Sequence, residues 1–112
     1  MGRTDASIKR GSAELAVLSL LMSGPRYGYD IARQIEQETG GLLKFDVASL
    51  YPLLYRMEKQ RWVKAYWEKA ANGRRRRYYR LTASGEKKLG ALRSQWVDFF
   101  RALNQVAGLE HV

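Results

Sequence analysis

The apolar periodicity changes twice along this chain, and each change closes off fold classes. Up to about residue 60 the apolar residues recur three and four apart, as on helices. Leu15, Leu18, Leu21 and Met22 form one stripe, Ile31 and Ile35 a second, and Leu50, Leu53, Leu54 and Met57 a third. In WVKAYWE, residues 62–68, Val63, Ala65 and Trp67 instead alternate with Lys64, Tyr66 and Glu68, the period of a half-buried strand. AANG supplies a turn. RRRRYYRL, residues 74–81, then runs back antiparallel, with Tyr79 and Leu81 inward and Tyr78 and Arg80 outward. Helical spacing returns at Leu89, Leu92, Trp96, Phe99, Phe100, Leu103 and Val106, sustained for more than two heptads. The chain is therefore mainly α with a small β-hairpin.

Local signals set the expected boundaries. The first helix covers 12–23, capped by Ser12 and stopped by Gly24-Pro25. The second starts within YGYDIARQIEQETG and ends at Gly40. The third lies in DVASLYPLLYRMEKQ, with Asp46 or Ser49 as its cap. Pro52 is near the third helical position if the helix follows Ser49, and bends it if the helix follows Asp46. Thr82 caps the last helix. Three helices, a hairpin and a long helix form the element order of a winged helix-turn-helix with a C-terminal dimerisation helix. Residues 1–81, with a flexible arm over 1–10, make the DNA-binding region, and 82–112 complete the same single domain.

Charge points to the partner. The 112-residue chain carries a net +9, and residues 44–80 hold eleven basic against three acidic residues. A polyanion is implied, and nucleic acid is the commonest. Four consecutive arginines repel one another, but on a hairpin alternate side chains splay to opposite faces. A helix about 12 Å across fits the major groove, and a charged hairpin reaches the neighbouring backbone or minor groove. Ser49, Tyr51, Pro52 and Arg56 on the third helix are the candidates to face DNA, with Arg74, Arg75, Arg76 and Arg77 on the hairpin. A non-sequence-specific architectural or RNA-binding protein is the alternative.

Enzymatic readings find little support. The single histidine, His111, is next to the end, so neither a histidine triad nor a histidine metal site forms with internal residues. Cysteine is absent, which excludes disulfides and thiolate zinc and fits the cytoplasm. Glu36 and Glu38 are too close in sequence to share a helix face. No apolar run is long enough to span a bilayer, and no cofactor or metal is expected.

The stretches RYGYDI at 26–31, SLYPLLYRMEKQRWV at 49–63 and GRRRRYYRLTASGEKKL at 73–89 together resemble the PadR family of bacterial transcriptional regulators. The likeness runs from about Ala13 to Val106, and the single helix after the hairpin is similar to the family's smaller subclass. One departure is Gln60-Arg61-Trp62, where the family commonly has glycine; Arg61 makes that turn without glycine's freedom. The resemblance implies a homodimeric winged-helix repressor on double-stranded DNA bearing an inverted repeat. It puts Ser49, Tyr51 and Pro52 at the DNA-facing helix start and Arg74–Arg77 in the wing, with Tyr27 and Lys44 as further DNA-facing candidates. Leu89, Leu92, Trp96, Phe99, Phe100 and Leu103 would pack against the partner subunit. An effector, a planar aromatic or drug-like molecule, would lie near Glu14, Leu18, Trp96, Asp98 and Phe100.

Overall fold

The structure, a computed structural model, describes the backbone of residues 6–109 and the side chains of residues 12–109. His111 and the first five residues of the expected arm lie outside the described residues. The elements are α1 (Ala6–Leu21), β1 (Arg26–Tyr27), α2 (Gly28–Glu38), α3 (Val47–Lys59), β2 (Val63–Lys69), β3 (Arg75–Leu81) and α4 (Ala83–Ala107). Helix α1 starts six residues before the expected Ser12 cap and takes in residues 6–10 of the expected arm. Gly11 lies inside the helix, at a cost of about 1 kcal/mol relative to alanine.

The hairpin is a three-stranded antiparallel sheet in the order β1-β3-β2, not a two-stranded one. Arg26 pairs with Tyr79 and Tyr27 with Tyr78, while Val63↔Leu81 through Lys69↔Arg75 sets the register of the long arms. Two residues are too few to display alternation, so β1 is invisible as a pattern. On the inner face Val63 and Tyr79 are buried beneath the helices, and on the outer face Lys64 and Arg80 are exposed.

Leu18, Ile31, Leu50, Leu54, Met57 and Leu89 form the centre of the core, one apolar stripe from each helix. Leu89, expected at a partner seam, is 1% exposed and belongs to the chain's own core. The first turns of α4 lie back over the helical core, where Leu92 is also buried, and the exposed apolar stripe of the helix begins beyond it. Leu18, expected beside an effector, has no exposed surface and so cannot line a site open to a ligand.

Helix α3 begins at Val47 after Asp46, which decides the question of Pro52: it is inside the helix. Its missing N–H frees the Ala48 carbonyl, and both residues are on the exposed face where water can satisfy it. The helix ends through two backbone bonds, Arg61 N–H to Glu58 O and Trp62 N–H to Met57 O, each 3.0 Å. This closure needs a left-handed residue, and Arg61 takes that role at φ 64°. Helix α2 closes in the same way with Gly40 at φ 61°. Arg61→Gly should therefore stabilise the fold by about 1 kcal/mol, read as a higher midpoint in urea at unchanged slope.

Candidate nucleic-acid interface

With Leu50, Leu53, Leu54 and Met57 buried, α3 turns Ser49, Tyr51, Pro52, Tyr55 and Arg56 outward. The Tyr51 ring lies against the start of α2, where a Cβ added to Gly28 would sit 2.8 Å from the phenolic oxygen. The absence of a side chain at 28 thus lets Tyr51 stand beside Tyr27. Tyr27 in turn is fixed by β1 and by an edge-on contact with Tyr78, ring centroids 5.6 Å apart. At this junction Asp30 accepts hydrogen bonds from Arg26 at 2.9 Å and Arg33 at 2.6 Å. Partial burial raises the carboxyl's pKa, but these two guanidiniums outweigh it and hold the group below its ordinary value.

The tip of the hairpin is tied to itself. Gly73 takes φ 85°, its N–H bonds Ala70 O, the Ala70 N–H bonds Arg74 O, and Asn72 Oδ1 accepts from the Arg74 N–H. The four arginines are separated as strand geometry requires. Arg76 places its guanidinium 4.4 Å above the Tyr27 ring, while Arg75 and Arg77 both stand 5.6 Å from the Trp67 ring. Each such contact is worth about 0.5–1 kcal/mol at an exposed site, which helps offset the mutual repulsion. Arg77 also donates to Glu58 Oε2 at 3.2 Å, joining the hairpin to α3.

These pieces surround an open cleft of about 430 Å³ lined by Tyr27, Tyr51, Trp67, Arg75, Arg76 and Arg77. Five of the expected DNA-facing residues thus meet in one place. Ser49, Pro52, Arg56, Lys44 and Arg74 are exposed but do not line it. Trp67 is the residue that sequence reasoning passes over. It follows the inward alternation of β2, yet it is 54% exposed because the hairpin has by then run past the core. Its position, three residues before the AANG turn and opposite the arginine run, is the available signal. Tyr79, deeper on the same face, has a phenol whose pKa is raised by burial, against the lowering effect of Arg77.

A second surface lies on α4. Trp96, Phe99 and Phe100 cluster with ring centroids 5.8 to 6.2 Å apart. Leu92, Gln95, Trp96 and Phe99 line a recess of about 370 Å³. Asp98 is turned about 200° around the helix from Trp96 and pairs with Arg101 at 3.6 Å in solvent. Asp98 and Trp96 of one chain therefore lie on different sides of α4. Glu14 is partly exposed on α1. Among the described residues no group of side chains is arranged to hold a metal ion, and no helix is long and apolar enough to cross a membrane.

A helix with a polar and aromatic outer face, set beside a cationic hairpin, is the architecture of winged-helix DNA-binding regulators. The model of the Transcriptional regulator PadR-like family matches residues 17–91, and the chain belongs to this family. An uncharacterized protein of Lysinibacillus sphaericus is 34% identical over 98 residues, 88% of each chain. A transcriptional regulator from Clostridium thermocellum shares 30% identity with a TM-score of 0.83, the match covering 91% of this chain and 99% of that one. A PadR family transcriptional regulator from Eggerthella lenta shares 26% identity with a TM-score of 0.79, over 93% and 88% of the two chains. The chain is thus a member of a family of DNA-binding regulators.

Proposed function

We propose that two copies of this chain grip an inverted-repeat operator in the cytoplasm and repress transcription, and that a planar aromatic or drug-like molecule bound near the α4 seam relieves repression. The observation that carries the DNA part is the cleft: Tyr51 from α3 and Arg75–Arg77 from the wing converge on one open, cationic surface. The start of α3 would enter the major groove while the wing follows the adjacent phosphates. Homodimerisation rests on the exposed aromatic cluster of α4, since a lone domain rarely leaves such a patch uncovered. An effector would act by shifting the population of dimer geometries that match the operator spacing.

The arginines are not equivalent in this reading. Arg74 and Arg75 are exposed, so replacing either by alanine should lower the salt slope of binding by about 0.9 for each phosphate that the side chain neutralises. Arg77→Ala should change that slope less, because its guanidinium is already engaged by Glu58. Binding titrations across a range of salt concentrations check both. For the effector, a planar cationic dye should quench tryptophan fluorescence in a saturable way, and Trp96→Ala should abolish the saturable part. The whole reading is tested by selecting bound fragments from random duplexes at about 0.15 M salt, where non-specific phosphate attraction is weakened. A regulator should enrich an inverted repeat held about 10³-fold more tightly than random duplex. An architectural or RNA-binding protein would enrich nothing.

A further inference from the structure

Trp67 belongs neither to the core nor to the α4 seam, and a large exposed indole at a hairpin tip calls for a physical role. Both Arg75 and Arg77 stand 5.6 Å from its ring, and Arg77 is held by Glu58 of α3 at 3.2 Å. The contacts form a continuous line from the helix that enters the groove to the end of the wing: Glu58, Arg77, Trp67, Arg75. Of the two guanidiniums on this line, Arg77 is engaged by the Glu58 carboxylate, whereas Arg75 is exposed and meets only the Trp67 ring among the described contacts. A guanidinium held in place this way has lost much of its rotational freedom before any DNA arrives.

We propose that Trp67 is a positioning residue that presents Arg75 to the minor groove beside each half-site, giving the protein a preference for A·T pairs there. The inference rests on the DNA-binding reading above and adds a second element of specificity to it. A·T-rich segments narrow the minor groove and deepen its negative potential, which favours an inserted guanidinium without any base-specific hydrogen bond. Lysine carries the same charge but is more strongly hydrated and lacks the flat face that stacks on indole. The preference therefore depends on the pair of residues, whereas the salt slope depends on charge alone.

The test compares wild type, Trp67→Ala, Trp67→Phe and Arg75→Lys on the selected operator and on a version with G·C pairs at the flanking positions. Wild type should lose about tenfold in affinity on the G·C-flanked duplex, the scale of one unfavourable position. Trp67→Ala and Arg75→Lys should discriminate less than twofold while still recognising the bases read by α3. Trp67→Phe, which keeps an aromatic face, should restore most of the discrimination, and Arg75→Lys should keep the wild-type salt slope. Circular dichroism melts should fall by no more than several degrees for Trp67→Ala, the loss of two exposed cation–π contacts of about 0.5–1 kcal/mol each, and less for Trp67→Phe, since the indole is mostly outside the core. Equal affinity of wild type for both duplexes, or discrimination retained by Trp67→Ala, would overturn the proposal with operator binding intact. Loss of all sequence preference in wild type would overturn the DNA-binding reading beneath it.

Discussion

Gly85→Ala is expected to cost the fold about 3 kcal/mol, the upper end of what overpacking does, and to lower the melting midpoint by roughly 10 °C or more. Gly85 is the third residue of α4 and is buried. A Cβ there would overlap the carbonyl oxygen of Trp62 and come within 2.7 Å of Leu81 Cδ1. The first obstacle is backbone, and it is fixed from several sides. Trp62 O accepts from the Thr82 N–H at 3.0 Å, Thr82 Oγ1 donates to Arg61 O at 2.6 Å, and that same hydroxyl accepts from the Gly85 N–H at 3.0 Å. The junction of α3, β2 and α4 is thus knitted around a position that tolerates only hydrogen. Gly90, five residues on, gives the matching control. It is exposed, an added Cβ there meets nothing within 4 Å, and Gly90→Ala should stabilise the helix by about 0.5–1 kcal/mol. The same substitution in the same helix should change sign, and thermal melts of the two variants decide it.

The second large effect is expected on α4's aromatic cluster. Phe99 and Phe100 are 55% and 56% exposed in the single chain, so each has about half a side chain left to bury. That is worth about 1 kcal/mol per ring, and a symmetric pair carries four rings. Replacing both by aspartate should weaken self-association roughly 10³-fold or more, since like charges then face each other across the seam. Sedimentation at micromolar concentration should show a shift from dimer to monomer, with helical content kept. Operator binding should fall with it, because one chain reaches only one half-site. Wing variants should behave in the opposite manner, remaining dimeric while losing affinity for DNA.

How much of this is legible in the sequence depends on the length of each signal. The four helices and the hairpin are readable because each carries several apolar residues at one period, and the inward placement of Tyr79 follows from alternation alone. Strand β1 is not readable, since Arg26-Tyr27 is too short to show a period. Leu89 and Trp96 share one stripe on α4, and spacing cannot tell which of them meets the chain's own core; that is settled only by how α4 folds back over the helical layer. Pro52 is ambiguous because either start of α3 is locally allowed, and packing of Leu50, Leu53 and Leu54 favours the longer helix. Asp98 and Trp96, two residues apart, lie about 200° apart around α4, a separation that spacing does give. Family membership is legible because the motifs at 26–31, 49–63 and 73–89 occur together in order.

Arg61 shows the same limit from the other side. The turn after α3 is recognisable as one that favours glycine, and φ 64° at Arg61 is the strain that follows from its absence. Its carbonyl accepts the Thr82 hydroxyl, so the strained residue is also the link to the start of α4.

Hydroxyl-radical footprinting of the selected duplex tests the central arrangement most directly. Two heads bearing α3 and its cationic wing, related by a two-fold axis, should protect two patches whose centres are about 34 Å, or one helical turn, apart. Arg74→Ala with Arg75→Ala should thin the protection at the edges of both patches. A single patch, or protection spread evenly along the duplex at about 0.15 M salt, would contradict paired groove reading by these surfaces.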